Sequence, residues 1–224
     1  ALTEHGNPVV VIESDPVRAE AAQEAGAAVI VGDATHNDTL EEAGVEVAMF
    51  EGITAGAKDF SSLVTKLRQA DVDYVYYGGY HPELGLILRQ AQQADLDATF
   101  MGPEGVGNKD INTIAGEAAE GLLVTLPPSF DKKDENQELV QAFEEKGEDP
   151  SGPFVLTSYT AVQLIADGIE AAESTDPFDV AEALRAGTFQ TPIGTVEYDN
   201  KGDMESFEFV VYEWHSDGSK TPVN

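Results

Sequence analysis

The sequence contains no cysteine, so it can form neither a disulfide bond nor a thiolate site. It also has no apolar run long enough to cross a membrane, so we expect no membrane insertion. Basic residues are scarce: 12 Lys and Arg stand against 42 Asp and Glu, a formal net charge of −30. Nucleic acid and anionic membrane surfaces would repel such a chain, so neither is an expected partner.

The first residues, Ala1–Asn7, are short and lack a basic start, so we expect no signal peptide there. Hydrophobic residues make up 42% of the 224 positions, which is enough for a packed core in one large or two small domains. The acids are spread along the whole chain. This predicts a uniformly acidic surface of the kind found in halophilic proteins, rather than an acidic patch for a basic partner.

Motifs of catalysis are missing as well. The four histidines (His5, His36, His81 and His215) show no metal-ligand spacing, and no cysteine supports them. There is no Gly-x-Ser-x-Gly elbow and no Walker loop. The sequence therefore predicts no enzyme activity, no catalytic residue, no metal and no cofactor.

From Pro8 to Thr125 the pattern alternates between strand and helix, which predicts a parallel α/β sheet with helices on both faces. After Pro127 the pattern becomes mostly helical. The expected strands lie near 8–12, 27–31, 46–50, 73–77, 98–101, 120–125, 193–198 and 207–214. The expected helices include two with apolar faces at Phe60–Leu67 and Leu84–Ala91, and three near 137–146, 154–172 and 177–186.

Two apolar strands stop abruptly in glycine-rich turns. Tyr74–Glu83 reads YVYYGGYHPE and Phe100–Asn108 reads FMGPEGVGN. In an open α/β sheet such turns lie at the carboxyl ends of the strands, where ligands bind. Each turn carries one residue suited to ligand contact, Tyr80 in the first and Glu104 in the second.

These two runs resemble the second lobe of the leucine- and branched-chain-amino-acid-binding proteins, the type I periplasmic receptors of ABC importers. The resemblance continues in order from about Gly44 to the C-terminus. It is carried by FEGITAGAKDF (50–60), AGEAAEGLLVT (115–125), DPSGPF (149–154), TPIGTVEYDNKGD (191–203) and FVVYEWHSDGS (209–219).

The resemblance implies a ligand site for leucine, isoleucine or valine. Glu104 would bind the α-ammonium, Tyr80 would form a wall, Gly105 would offer a backbone contact, and Phe154 would line the side-chain pocket. The alternatives are a solvated loop glutamate, a tyrosine packed on the adjacent helix, and a core phenylalanine at a helix start.

The resemblance also implies a membrane permease as partner and a periplasmic or extracellular location. In that family the ligand carboxylate is held by first-lobe loops that precede the resembling stretch. We therefore expect weak binding by this chain.

Residues before Gly44 look different. Val9–Pro16 (VVVIESDP) and Gly32–Thr35 (GDAT) resemble a fragment of the TrkA-N (RCK) nucleotide-binding domain. That resemblance places Glu13 at the ribose position and Asp33 near the adenine as cofactor-binding residues, vestigial because the phosphate-binding glycine fingerprint is absent.

Together the two resemblances suggest a truncated or recombined chimera, natural or engineered, joined within 40–46. The alternative is a diverged native segment. As alternative functions, a nucleotide-binding regulatory module or a fusion with no ligand remains open.

The expected fold is a flavodoxin-like, Rossmann-like lobe of a type I periplasmic binding protein, with an incomplete second lobe. Residues 1–45 would form a βαβα fragment completing the sheet, and 46–127 the ligand-binding lobe. Residues 128–206 would form part of the other lobe, and 207–224 a returning C-terminal strand. The helices within 137–186 would have no sheet to cover, so we expect exposed apolar surface there.

Overall fold

A computed structural model describes residues 10–13, 28–31 and 47–223 of the chain. Its strands are β1 Val10–Glu13, β2 Ala28–Val31, β3 Tyr74–Tyr76, β4 Thr99–Gly102, β5 Leu122–Leu126, β6 Phe189–Thr191, β7 Gly194–Val196, β8 Val210–Trp214 and β9 Lys220–Pro222. Its α-helices are α1 Ser61–Gln69, α2 His81–Gln93, α3 Asp110–Ala115, α4 Gln137–Glu144, α5 Val155–Ala172 and α6 Pro177–Ala186. Short 3-10 turns lie at Glu104–Val106, Gly116–Ala119, Phe130–Lys132 and Asp134–Asn136.

Five strands form the main sheet in the order β3-β4-β5-β8-β9. The first three are parallel, with Tyr76 opposite Met101, and β8 returns antiparallel to β5, with Tyr212 opposite Val124. The C-terminal segment thus pairs with the sheet through β8, while the predicted division of the chain into domains stays a prediction. Strands β1 and β2 form a separate parallel pair, so the prediction that residues 1–45 complete the sheet stays a prediction.

The main core lies between this sheet and helices α1 to α3. Helix α2 shows why: Leu84, Ile87, Leu88 and Ala91 repeat at helical spacing, and all four are buried. Pro82 stands in its first turn, where a missing backbone N–H costs nothing. Along the sheet strands, buried side chains alternate with partly exposed ones. The buried side chains that complete the core are Phe100, Leu122, Val124, Leu126, Tyr212 and Trp214.

Within the described residues the helices of this sheet share one core on one face. Strands β3, β4 and β5 follow each other in one direction, and right-handed crossovers then place the connecting helices on the same side. Tyr74 and Tyr76, which point to the other face, are 75% and 67% exposed. Helices on the second face therefore stay a prediction.

The region after Pro127 buries little. Helices α4 and α6 have no buried residue, although α6 has a sound start in Asp176, whose carboxylate accepts a hydrogen bond from the Phe178 backbone N–H at 2.9 Å. The expected exposed apolar surface is confirmed. Its members on α5 and α6 are Tyr159, Val162, Ile165, Ile169 and Phe178.

The sequence pattern was wrong at three places. Residues 47–50 form no regular structure, although an apolar run predicted a strand near 46–50, and Phe50 is 93% exposed. Strands β6 and β9 were not predicted, because each is three residues long and exists only through pairing with a neighbour. Among the described residues, no helix has the length and apolarity needed to cross a membrane.

Candidate functional site

The two glycine-rich turns meet at one edge of the main sheet. Strand β3 ends at Tyr76 and its parallel neighbour β4 ends at Gly102, so both turns start at the carboxyl edge. Tyr80 then caps the N-terminus of α2 in an extended conformation. Glu104 opens the 3-10 turn that follows β4. The predicted placement of both residues at this edge is confirmed.

Glycine is required where the turns touch. A Cβ atom on Gly105 would lie 2.8 Å from the Gly79 carbonyl oxygen and 3.3 Å from Cδ1 of Tyr80. A Cβ atom on Gly102 would lie 2.7 Å from a methyl group of Val106. Both contacts are tighter than side chains allow. The one at Gly105 means that only glycine lets the second turn lie against the first, and the one at Gly102 restricts the start of the second turn itself.

The side chains at this contact face solvent. Tyr80 is 70% exposed and Glu104 is also exposed. Within the described part of the chain, the Glu104 carboxylate takes part in no hydrogen bond or ion pair. This edge of the sheet thus presents the aromatic face of Tyr80 and the exposed carboxylate of Glu104 on adjacent turns. These two groups suit a ligand that has an ammonium group and an apolar part.

Phe154 lies directly before α5 and is 49% exposed. The structure does not place its ring in an aromatic pair with Tyr80 among the described residues. One ion pair links the two segments concerned: Nζ of Lys109, five residues after Glu104, lies 2.7 Å from Oδ2 of Asp149, five residues before Phe154. That bond, and the backbone bond from Ser151, hold the pKa of Asp149 well below its usual range.

Sequence reasoning missed two residues beneath the site. The Glu83 carboxylate accepts a hydrogen bond from the Gly56 backbone N–H at 2.7 Å, which lowers the pKa of Glu83. Burial, and then the charge of Glu83, raise the pKa of the Tyr77 phenol. The alternation in YVYY could have indicated Tyr77, since it follows Val75 onto the core face.

The cofactor-binding prediction for the first segment stays untested. Glu13 is the last residue of β1, opposite Val31 on β2, as the strand pattern predicted. Asp33 lies outside the described residues.

One group of metal-ligating side chains lies at the opposite, amino edge of the sheet. The ligand atoms of Glu120, Glu213 and His215 are within 4.8 Å of one another. Both ring nitrogens of His215 already have partners, with Nδ1 3.0 Å from the Glu120 carboxylate and Nε2 3.0 Å from the Thr221 hydroxyl. The bond to His215, and one from the Ser216 backbone, lower the pKa of Glu120 to about 2, and Glu120 raises the pKa of His215. We interpret the group as an ion-pair network.

Concave surface within residues 47–223 lies away from the two turns. A cleft of about 300 Å³ at the amino edge has Leu88, Phe100 and Leu122 among its lining residues. A narrower pocket lies where Pro127–Asp131 meets Pro150–Pro153, with Lys220 beside it. Neither includes Tyr80, Glu104 or Gly105 in its lining.

A parallel-rich α/β lobe with two glycine-rich turns at the carboxyl edge of its sheet has the arrangement with which open α/β sheets bind small molecules. A family model described as "Periplasmic binding protein" matches residues 20–219. The chain belongs to the periplasmic binding protein family.

Similar proteins carry more specific names. The chain is 58% identical over 185 residues to the leucine-, isoleucine-, valine-, threonine- and alanine-binding protein of Pseudomonas aeruginosa, covering 83% of this chain and 50% of that protein. It is 49% identical over 184 residues to the Leu/Ile/Val-binding protein of Escherichia coli, covering 82% and 50%. The chain thus spans about half the length of the curated relatives it matches.

Solved structures agree on the fold. A leucine-binding protein from Thermotoga maritima superposes with a TM-score of 0.74 at 25% identity, covering 100% of this chain and 62% of that one. A branched-chain amino acid transporter substrate-binding protein from Streptococcus pneumoniae, in complex with isoleucine, has a TM-score of 0.69 at 20% identity, covering 96% and 60%. The predicted type I periplasmic binding protein lobe is confirmed.

The second resemblance receives no such support. The family match begins at residue 20, inside the segment for which a TrkA-N fragment was predicted. These comparisons therefore do not support the TrkA-N interpretation, the chimera, the nucleotide-binding alternative or a halophilic origin. A short strand–helix–strand pattern is common to many α/β families, so the pattern of the first 45 residues does not by itself distinguish one such family from another.

Proposed function

We propose that this chain is the ligand-binding part of a receptor for branched-chain amino acids that serves an ABC importer. Its location would be periplasmic or extracellular, and its protein partner would be the importer's membrane permease. The names of the relatives support the ligand class, and the meeting of the two turns at one edge of the sheet supports a ligand site in this chain.

The observation that carries the proposal is the contact between the turns. Gly105 lies against Gly79 and the Tyr80 ring, so the exposed carboxylate of Glu104 and the face of Tyr80 belong to one surface. In this proposal Glu104 accepts the ligand's α-ammonium in a charge-assisted hydrogen bond. The Tyr80 ring covers the aliphatic part, and the Gly105 backbone approaches closely because it has no side chain.

Phe154 is proposed as the wall of the side-chain pocket. It stands on the other region of the chain and is half exposed, so an apolar ligand could cover it. Such a pocket would favour leucine, isoleucine and valine over polar amino acids. Closure of the two regions on the ligand would be the binding motion.

Affinity in this chain alone should be low. The proposed contacts reach the ammonium and the aliphatic side chain but include no group for the ligand's carboxylate. A hydrated carboxylate such as Glu104 gains roughly 0–1 kcal/mol from an exposed ion pair. We therefore expect leucine binding weaker than submicromolar.

Isothermal titration with leucine, isoleucine, valine and glutamine tests the proposal. Glu104→Gln should weaken leucine binding about two- to fivefold, as expected for the loss of an exposed ion pair, whereas Glu117→Gln should leave it unchanged. Glu117 is a matched control because it is also exposed and also stands in a 3-10 turn, but on the far edge of the sheet. Leucine affinity that is the same in Glu104→Gln as in the parent chain, or equal binding of glutamine, would refute the assignment.

A further inference from the structure

Tyr77 lies directly behind the candidate site and folds its ring over the glycine turn. A Cβ atom built on Gly79 would overlap the Tyr77 hydroxyl and would lie 2.6 Å from Cζ and 2.9 Å from Cε1. No side chain can therefore occupy position 79 while the ring stays in place. At Gly78, by contrast, an added Cβ atom would have nothing within 4 Å, so the restriction belongs to one glycine of the pair.

The contact continues from Tyr77 to the site. Gly79 is the residue whose carbonyl oxygen lies against Gly105, and Tyr80 follows it in the chain. Gly79 thus lies next to both the Tyr77 ring and the second turn. A shift of Gly79 would move both the Tyr80 side chain and the backbone next to Gly105.

Tyr77 is itself held at both ends. Its backbone N–H donates a hydrogen bond to the Met101 carbonyl at 2.8 Å, which extends the β3–β4 pairing by one residue. Its side chain is partly buried against the main core. A side chain held in this way can act as a rigid support.

We propose that Tyr77 is a positioning residue, whose ring sets the conformation of the Gly78–Tyr80 turn and so the placement of Tyr80 against Gly105. The proposal assigns the support to the ring: the hydroxyl is the atom nearest to position 79, but the ring atoms Cζ and Cε1 also exclude a side chain there. The effect on ligand affinity rests on the proposed function, whereas the effect on the turn does not.

The turn can be observed without any ligand. In ¹⁵N-labelled protein, Tyr77→Leu should shift the amide resonance of Gly79, which loses the ring beside it. It should also shift the amide resonance of Gly105, because the first turn, which lies against Gly105, then moves. Tyr77→Phe keeps the ring and should leave both resonances close to those of the parent chain. Ile87→Val, a core change on α2, controls for a general loss of stability and should leave both unchanged.

Leucine titration is the second readout. Tyr77→Leu should weaken binding about threefold or more, since small displacements of contact groups are costly. Tyr77→Phe and Ile87→Val should retain the parent affinity. A Gly79→Ala chain should resemble Tyr77→Leu, and Gly78→Ala should resemble the parent.

The two proposals fail differently. If the parent chain binds no leucine, but the Gly79 and Gly105 resonances respond to Tyr77→Leu alone, the receptor function fails and the positioning role stands. If leucine binds and Tyr77→Leu changes neither the resonances nor the affinity, the positioning role is refuted. A Tyr77→Phe chain that behaves like Tyr77→Leu would also overturn it, because the hydroxyl would then be the group that matters.

Discussion

Nζ of Lys109 lies 2.7 Å from Oδ2 of Asp149, and this ion pair joins the ligand-turn region to the helical region. Both side chains are more than half exposed. Among the described residues it is the one ion pair between residues 47–127 and residues 128–206. The contact therefore connects the segment after Glu104 with the segment before Phe154.

Breaking this pair should loosen the junction at little cost in stability. An exposed pair contributes roughly 0–1 kcal/mol, so Lys109→Ala and Asp149→Ala should show a small coupling in a double-mutant cycle of unfolding free energies. Because the pKa of Asp149 is lowered in the folded protein, the pair stabilises the fold above the ordinary carboxyl pKa. This stabilisation is lost as pH falls through the folded pKa of Asp149. A coupling energy well above 1 kcal/mol at neutral pH would contradict the prediction of a weak surface pair.

The His215–Glu120 pair should stabilise the fold most between about pH 4.5 and 6.5. The pKa of His215 is raised in the folded protein. His215 therefore adds to the stability of the fold below its unfolded pKa of 6.5, and this stability is lost as pH rises through the folded pKa. The pKa of Glu120 is lowered to about 2. Glu120 therefore adds to the stability of the fold above pH 4.5, and this stability is lost as pH falls toward 2. The melting-temperature difference between the parent and His215→Gln should peak in that window. A difference independent of pH would contradict the pairing.

Stability should rise with salt. A net charge of −30 favours the unfolded chain through self-repulsion, which salt screens. Thermal melts in dilute buffer and in molar sodium chloride should give the higher midpoint at molar salt. Potassium chloride serves as a control, since general screening predicts the same rise. An unchanged or lower midpoint would count against a dispersed acidic surface.

Gly105→Ala should damage the site far more than Gly52→Ala. The new methyl group at 105 would meet the Gly79 carbonyl oxygen at 2.8 Å, a backbone atom that cannot rotate away, whereas position 52 has nothing within 4 Å. We expect lower stability and a loss of leucine binding for Gly105→Ala only. Leucine titration and thermal melts of the two variants decide the matter, and equal behaviour would refute the close contact between the turns.

The apolar face of α5 should tolerate polar residues. Ile165 is 55% exposed and its neighbour Leu164 is 5% exposed. Ile165→Ser should change the unfolding free energy by less than about 0.5 kcal/mol, whereas Leu164→Ser should cost about 2 kcal/mol or more. Urea unfolding measures both. A large loss for Ile165→Ser would mean that this face is covered in solution.

Several elements could be predicted from local pattern because their causes are local. The apolar spacing of Leu84, Ile87, Leu88 and Ala91 and the proline in the first turn specify α2 within a few residues. The glycines around Glu104 indicate a turn that ends a strand. The family could also be read from motif order. The roles of Tyr80, Glu104, Gly105 and Phe154 remain proposals.

Other features could not be predicted, because they depend on partners distant in sequence. The apolar run near 46–50 has the composition of a strand but no ladder to join, so it stays irregular. Strand β9 forms only because β8 lies beside it. The ion pair of Lys109 spans 40 residues, and no local pattern distinguishes Asp149 from the other acids of the chain.

The sequence by itself determined the strong acidic charge, the amphipathic helices of the main core and the presence of two glycine-rich turns, since each depends on composition or on spacing within a few residues. Only the tertiary structure decided that the two turns meet. Parallel pairing of β3 with β4 brings Tyr76 opposite Met101, and residues some 25 positions apart then share one edge. Packing also decided which glycines are irreplaceable, because Gly79 and Gly105 are crowded by other atoms whereas Gly78 is not.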